Sequence, residues 1–486
     1  MRMKQIPEIN LDILIVGAGL SGITAGVRLK REHPRKDFVI LEARERLGGT
    51  WDLFRYPGIR SDSDMYTFGF AFEPWHSEDS VADGPSIRAY IADTASKYEV
   101  DRHIRYQHRV VKAEWSTSDS RWTVEVDADG SPVVYRCQFF WICSGYFSYD
   151  GGYRPELPGL EDYTGQVVHP QEWPEDLKWK GKNIVLLGSG ATAVTLLPEL
   201  ARECEHIWLL QRSPGYVAEV PRVDPWVARL KRFLPERWAG WVLRWKGILY
   251  QSFLFRLARG WPSLMTRLLR KPLLEYFTLS EVKEHFTPRY RPWEQRLCVD
   301  TDGEYLKSLQ SDRATIVTDR ISGFHQKTIE LDSGNQLEAD ILITATGLVV
   351  ELFGKVQLTV DGRQVEPQNH MIYKGALLND VPNMIFSLGY TNMSWTLKCD
   401  LTARYMCRLL KLMDQKRYQT FCPRLNDDRV QPVSLVDFSS GYLQRADPIL
   451  PKQGSEAPWK LHQSYIADLI QTELAPLEDG IMEFSC

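Results

Sequence analysis

The chain contains no Cys-x-x-Cys pair. Its eight cysteines are scattered between Cys137 and Cys486, a spacing that gives neither a zinc site nor a dithiol redox centre. No metal site is expected, and scattered thiols in a long chain point to a reducing compartment, hence the cytoplasm. No uncharged apolar run approaches the ~20 residues needed to cross a bilayer. The apolar stretch near the start is short and leads straight into glycines, so a first strand is expected there rather than a secretion signal. Low-complexity tracts are absent. Neither sign of charge dominates: 59 Lys and Arg against 63 Asp and Glu leave a net charge of -4, which argues against a nucleic-acid binder. What is present is ordinary globular composition, 43% apolar and 25% charged over 486 residues, enough for two to four domain-sized units.

Two β-α-β units organise the chain. LDILIV at 11–16 reads as a buried strand, 23–32 as a helix and FVILE at 38–42 as a second strand. NIVLL at 183–187, a helix over 192–203 and HIWLL at 206–210 repeat the layout. Residues 108–127 alternate around Trp115 and Trp122 like an antiparallel hairpin, ADILITATG at 339–347 reads as a strand, and 401–413 as a helix. Beyond about 420 the periodicity fades, and a loop-rich surface extension is expected.

Each unit carries a dinucleotide fingerprint. In the first, Gly17-Ala18-Gly19-Leu20-Ser21-Gly22 joins strand to helix, allowing a tight turn and close approach of backbone to a pyrophosphate at the helix N-terminus. Glu42 follows at the end of the next strand, where a carboxylate accepts from ribose hydroxyls. Gly48-Gly49-Thr50-Trp51 comes soon after and suits FAD, since its backbone can reach the cofactor from the other side; a plain loop is the alternative. In the second, Gly188-Ser189-Gly190-Ala191-Thr192-Ala193-Val194 has Ala at the third glycine position, and the following strand ends Gln211-Arg212 rather than in an acid. An Arg there accommodates a 2′-phosphate, so NADPH is expected over NADH; a surface Arg is the alternative. With two nucleotide sites and no dithiol, electrons run from NADPH to flavin and then most simply to oxygen.

Further pieces resemble a known family. Tyr163-x-Gly165-x-x-x-His169-x-x-x-Trp173-Pro174 is similar to the Baeyer–Villiger monooxygenase fingerprint, with Tyr163 where that family begins with Phe. RYPGIRSDSDMYTFGF, HPQEWPEDL, GSGATAVTLLPEL, LLQRSP, PWEQRLC and GYTNMSWTLK resemble the branch of the mycobacterial ethionamide-activating monooxygenases, in order from about residue 11 to 410. The resemblance implies an α/β fold of two Rossmann-like domains. The FAD domain would comprise 1–150 and 335–420, the NADPH domain 151–334 with a helical insertion at about 220–290, and the extension 421–486. It implies flavin contacts at Ser21, Thr50, Trp51, Asp52, Leu53, Arg60, Ser61, Asp62 and Val110, and linker roles for His169 and Trp173. Catalysis would rest on Arg296, which steadies a C4a-peroxyflavin, with Asp62 as the acid nearby. Gln295 stands where many members have Lys, which shifts phosphate binding onto Arg212. The activity implied is oxygenation of small ketones and of thioethers or thioamides by O2. A heteroatom-only flavin monooxygenase and a non-turning-over FAD sensor are the alternatives; a disulfide reductase is disfavoured for want of a dithiol.

Residues 226–271 stand apart, with eleven basic residues against Glu236 and with aromatics interleaved. Such a segment fits, first, a helical insertion packed on the body; a surface in peripheral contact with anionic membrane is the alternative, and the two can coexist.

Overall fold

The continuous apolar run at the N-terminus becomes a strand covered on both faces: Ile13, Leu14 and Ile15 are fully buried. The computed structural model describes residues 6–435 and 440–486; the first five residues of the expected FAD domain and 436–439 of the expected extension lie outside them. The first unit is β1 (Glu8–Val16), α1 (Leu20–Glu32) and β2 (Phe38–Leu41), with β1 and β2 parallel and Ile13 opposite Phe38. Helices α2 (Thr50–Leu53), α3 (Met65–Phe68) and α4 (Gly84–Lys97) lead to β3 (Ile104–Arg105), β4 (His108–Ser116), β5 (Arg121–Ala128) and β6 (Ser131–Ile142). The expected hairpin is β4–β5, with Trp115 opposite Trp122. A third strand extends it, because β6 pairs antiparallel with β5 at its start and parallel with β1 at its end.

The second unit is β7 (Gln166–Val168), β8 (Asn183–Leu187), α5 (Ala191–Ala201) and β9 (His206–Gln211), followed by β10 (Val217–Val220). The helical insertion is α6 (Pro225–Phe233), α7 (Glu236–Gly260), α8 (Pro262–Tyr276) and α9 (Leu279–His285). The chain returns through β11 (Cys298–Thr301), parallel to β10, then α10 (Glu304–Leu309), β12 (Ala314–Thr318) and an antiparallel trio β13 (Ile321–His325), β14 (Thr328–Leu331) and β15 (Gln336–Glu338). Strand β16 (Ile341–Thr344) corrects one expectation. It pairs parallel with both β7 and β8 and completes a five-stranded sheet in the order β12-β9-β8-β16-β7. It thus belongs to the second unit, and the boundary expected at 334/335 falls after it. A four-residue apolar run suits the centre of either parallel sheet, so its composition could not say which.

The first sheet resumes with β17 (Gln357–Val360) beside β4 and β18 (Arg363–Gln364) at the edge, giving the order β18-β17-β4-β5-β6-β1-β2-β3 with Met384–Phe386 also on β6. Helix α11 (Trp395–Lys416) is longer than expected and lies on α1, tied by Arg28 Nη2 to Asp400 Oδ1 at 2.8 Å. The segment beyond 420 is not a surface wrap. Leu435, Leu443, Leu450, Trp459 and Tyr465 are buried, and Thr420–Pro423 pairs with Met482–Ser485. Its apolar anchors are single residues between turns, which leaves no periodicity to read.

Candidate active site

Both glycine turns are built alike. Gly17 has φ +100°, and a Cβ there would lie 2.6 Å from Cys143 O; Gly188 has φ +145°, and a Cβ there would lie 2.4 Å from Ala345 O. Each glycine therefore lets a strand end pass hard against the neighbouring strand. A Cβ on Gly22 would sit 1.9 Å from Gly17 O, so this third glycine closes the helix onto its own turn. The middle glycines differ in kind. Gly19 meets only Gly49 backbone, at 3.6 Å, and Gly190 meets nothing within 4 Å. Their missing side chains leave space for a ligand rather than for protein. Because Gly49 (φ +58°) faces Gly19, the two glycine loops form opposite walls of one cradle.

That cradle opens into a cleft of about 330 Å³ whose walls include Glu42, Arg44, Thr50, Trp51, the 59–63 loop, Val110, Cys143 to Phe147 and Trp395. Glu42 Oε2 accepts from Ala18 N at 2.8 Å and Oε1 from Arg44 N at 2.9 Å, pinning the carboxylate at the strand end. Burial pushes its pKa up against these two bonds. Three buried polar atoms of the lining, Arg44 Nη1, Arg60 Nε and Ser144 Oγ, have no partner in the protein. Buried donors without partners are costly, and a polyphosphate-bearing ligand would satisfy them. The donor set thus fits a dinucleotide.

The second unit meets the same cleft. Ala191, Thr192 and Thr195 of α5 line it, and Gly58 (φ +77°) places the 54–62 loop against α5, where a Cβ would be 2.6 Å from Thr195 O. Arg296, just before β11, reaches into the cleft near Asp62 and Tyr146. Burial works against its charge, but Tyr146, with which it shares a hydrogen bond, Asp62 and Tyr442 outweigh that and raise its pKa above the ordinary value. Burial raises the Asp62 pKa, opposed by Arg296 and Arg60. Tyr146 stacks on Trp395 with ring centroids 4.4 Å apart. Beyond Arg296 a smaller apolar pocket continues between Val350, Leu352, Leu388, Leu443, Leu450 and Leu461.

The sequence comparisons then settle kinship. The chain is 46% identical over 481 residues to the FAD-containing monooxygenase EthA of Mycolicibacterium smegmatis, covering 98% of this chain and 97% of that protein. It is 45% identical over 481 residues to EthA of Mycobacterium tuberculosis, covering 98% of each. The chain belongs to the FAD-containing monooxygenase family. Models of an NAD(P)-binding Rossmann-like domain and of flavin-binding monooxygenase-like proteins match residues 15–78 and 76–234. In fold, this monooxygenase is similar to an oxidized steroid monooxygenase bound to NADP, with TM-score 0.78 at 20% identity over 98% of this chain and 99% of that one.

Within the monooxygenase the expected site residues divide. Gly17, Gly19, Ser21, Glu42, Thr50, Trp51, Arg60, Ser61, Asp62, Val110, Ala191, Thr192 and Arg296 all line the cleft. Asp52 does not: its buried carboxylate is held by Arg44 at 2.7 Å, Arg46 at 3.3 Å, Arg88 at 3.4 Å and Arg55 at 3.8 Å, so it anchors the loop from behind. Leu53 packs in the apolar core of the second unit. Gly22 is structural, as its geometry requires. Gly188, Ser189 and Gly190 form the second turn outside the cleft. Ala193 and Val194 are buried in α5, and the Val194 N–H is spent on Gly190 O. Gln211 is turned inward, donating Nε2 to His285 O at 2.8 Å and to Thr318 Oγ1 at 2.9 Å. Arg212 is the first residue past β9, where Glu42 stands past β2; it is exposed and makes no ion pair among the described residues. His169 is buried just past β7: Nδ1 accepts from Gln171 N, which leaves Nε2 to donate to Gly347 O, both at 3.2 Å. Trp173 packs edge-on against Trp179. Sequence reading missed Arg44, Ser144, Tyr146, Tyr390, Tyr442 and Trp395. Arg44, two residues past Glu42, carried a usable signal. Tyr390 and Trp395 lie in GYTNMSWTLK, which marked a resemblance but no role, and Tyr146 and Tyr442 carried no signal.

No helix among the described residues is long and apolar enough to cross a membrane, and no cluster of His, Cys, Asp or Glu suited to a metal occurs among them.

Proposed function

We propose that the chain holds FAD in the main cleft and NADPH on the second glycine turn, and oxygenates ketones by Baeyer–Villiger insertion and soft sulfur centres such as thioethers or thioamides. The observation that carries the reading is the meeting of the first glycine turn and of α5, the helix that follows the second turn, at one cleft that also holds Arg296, Asp62 and Tyr146. FAD bound there supplies hydride acceptance and the activation of oxygen. The residues do the rest. Gly19 and Gly49 let backbone close on the pyrophosphate, while Arg44, Arg60 and Ser144 offer it donors. Arg212 meets the 2′-phosphate of NADPH with a fixed charge. Arg296 cannot lose its proton, so it faces any developing oxyanion as a preorganised cation. Asp62 balances that charge and Tyr146 fixes the guanidinium in place. Trp395, Tyr146 and the leucine-lined pocket keep water from the reacting atoms and accept an apolar substrate. His169 and Trp173, in the stretch between β7 and β8, govern the relative motion of the two units. Free thiols, seven of the eight buried, support a cytoplasmic enzyme. Product analysis with ¹⁸O₂ over a panel of simple ketones and thioethers tests the reading. Labelled esters and sulfoxides are expected; labelled sulfoxides without esters would make the chain a heteroatom-only monooxygenase, and NADPH consumption without labelled product would refute the function.

A further inference from the structure

Helices α6 to α8 leave their apolar sides uncovered. On α7 the inner side (Ala239, Gly240, Leu243, Ile248 and Ala258) is buried, while Trp238, Leu249 and Phe253 on the opposite side are 62%, 53% and 61% exposed. They fall at the spacing of one helical stripe. Helix α6 buries only Val227 and exposes Trp226 and Phe233, the latter by 75%. Helix α8 buries Met265 and Leu273 and exposes Leu264, Leu268 and Leu274. Large side chains exposed on three neighbouring helices exceed the scattered apolar surface of an ordinary monomer.

The cations are placed with them. Arg229 lies over the Trp226 ring at 5.4 Å and Arg232 over Phe233 at 5.8 Å. Arg229, Arg232, Arg237, Arg256, Arg267, Arg270 and Lys271 are exposed and make no ion pair among the described residues. Of the two acids on α6–α8, Glu236 is engaged by His76 at 2.9 Å and Glu275 stands in the last turn of α8. A protein partner would have to supply carboxylates at many separate points along an apolar face, whereas an anionic bilayer supplies a continuous negative layer over an apolar interior. We propose that α6–α8 dock this protein on an anionic lipid surface, peripherally, with α7 laid along it. Through its inner side α7 packs by Ile248 against the cluster holding Tyr390, whose ring lines both the cleft and the leucine-lined pocket. On the proposed function, which the docking itself does not require, an apolar substrate dissolved in the bilayer then has a short route to Arg296.

The test is sedimentation of the full-length holoenzyme with vesicles of phosphatidylcholine alone and of phosphatidylcholine mixed with phosphatidylglycerol. Binding to the anionic vesicles is expected to exceed binding to the neutral ones roughly tenfold at low salt and to collapse towards 1 M salt, where the Debye length falls to about 3 Å. The double variant Trp238→Ser, Phe253→Ser and the triple variant Arg267→Glu, Arg270→Glu, Lys271→Glu are each expected to lose vesicle binding while keeping their flavin and melting temperature, since all five side chains are exposed. Equal binding to both vesicle types, or none to anionic vesicles at low salt, overturns the proposal. So does a stable dimer in light scattering that dissociates in the Trp238→Ser, Phe253→Ser variant, which assigns the face to a second copy of the chain. Oxygenation of a water-soluble sulfide is read separately: its loss in the unmodified enzyme refutes the proposed function and leaves the docking result standing.

Discussion

Replacing Gly19 with Ala should separate what a dinucleotide turn does for the ligand from what it does for the fold. Gly19 has φ -82° and ψ -170°, extended backbone that alanine adopts without strain. The added Cβ would lie 3.6 Å from Gly49 Cα, an ordinary contact. Such a substitution stabilises a protein by about 0.4–1 kcal/mol, through the unfolded chain. The flavin-free variant should therefore melt at the unmodified temperature or about 1–3 °C above it. The methyl group, however, stands between the two glycine backbones that form the cradle. Holding the phosphates off one charge-assisted backbone contact costs about 1.5–3 kcal/mol, roughly ten- to a hundredfold in Kd for FAD. Gly22→Ala is the control, because its Cβ would stand 1.9 Å from Gly17 O and the turn itself must move. The assays are circular-dichroism melting of the flavin-free proteins and FAD titration by fluorescence quenching. If Gly19→Ala loses as much stability as Gly22→Ala, or binds FAD with unchanged Kd, the division of roles among the three glycines is wrong.

Arg212→Ala should lower kcat/KM for NADPH about ten- to a hundredfold with little change for NADH, read from steady-state kinetics with both cofactors; equal use of both by the unmodified enzyme would contradict the assignment. Burial lowers the pKa of His169 below its ordinary 6.5, so the unfolded chain takes up the proton first: stability is intact above about pH 6.5 and falls as pH drops towards the folded pKa, and His169→Gln should flatten that acid limb in urea titrations. Lys398 Nζ lies 2.8 Å from Asp468 Oδ2 with both side chains buried, and Tyr390 donates to the same carboxylate at 2.6 Å. Asp468→Ala should thus cost about 3–5 kcal/mol by leaving a buried cation without its partner, a loss that denaturant unfolding would register.

The two β-α-β units, the glycine turns, Glu42 and Arg212 could be read from the sequence because each is local: strand, turn, helix and strand follow one another within about 40 residues. Arg296 and Asp62 carried no such pattern and came only through resemblance; the structure brings them to one cleft from segments far apart in the chain. Asp52 and Gln211 show the limit of that route. They sit in the right motifs, but four arginines hold the first and a backbone carbonyl with Thr318 holds the second, and no motif records where a side chain turns. Tyr146, Trp395 and Tyr442 could not have been foreseen, since stacking and pocket walls depend on long-range packing. Strand β16 was visible as a strand, while its sheet was not, because apolar four-residue runs look alike in both units.

Arg296 is the residue on which oxygenation turns, and the decisive measurement is the yield of oxygenated product per NADPH consumed by Arg296→Ala, with flavin content recorded on the same preparation. Arg296 lies on the segment leading into β11, away from the glycine cradle, so the variant should keep its FAD. Removing one preorganised charge at a developing anion costs about 3–4 kcal/mol, so oxygenation of a ketone should fall by roughly two to three decades while NADPH oxidation falls much less and releases hydrogen peroxide. Arg296→Lys should recover only part of the loss. A flavin-loaded Arg296→Ala enzyme that still converts ketone at the unmodified yield per NADPH would contradict the account.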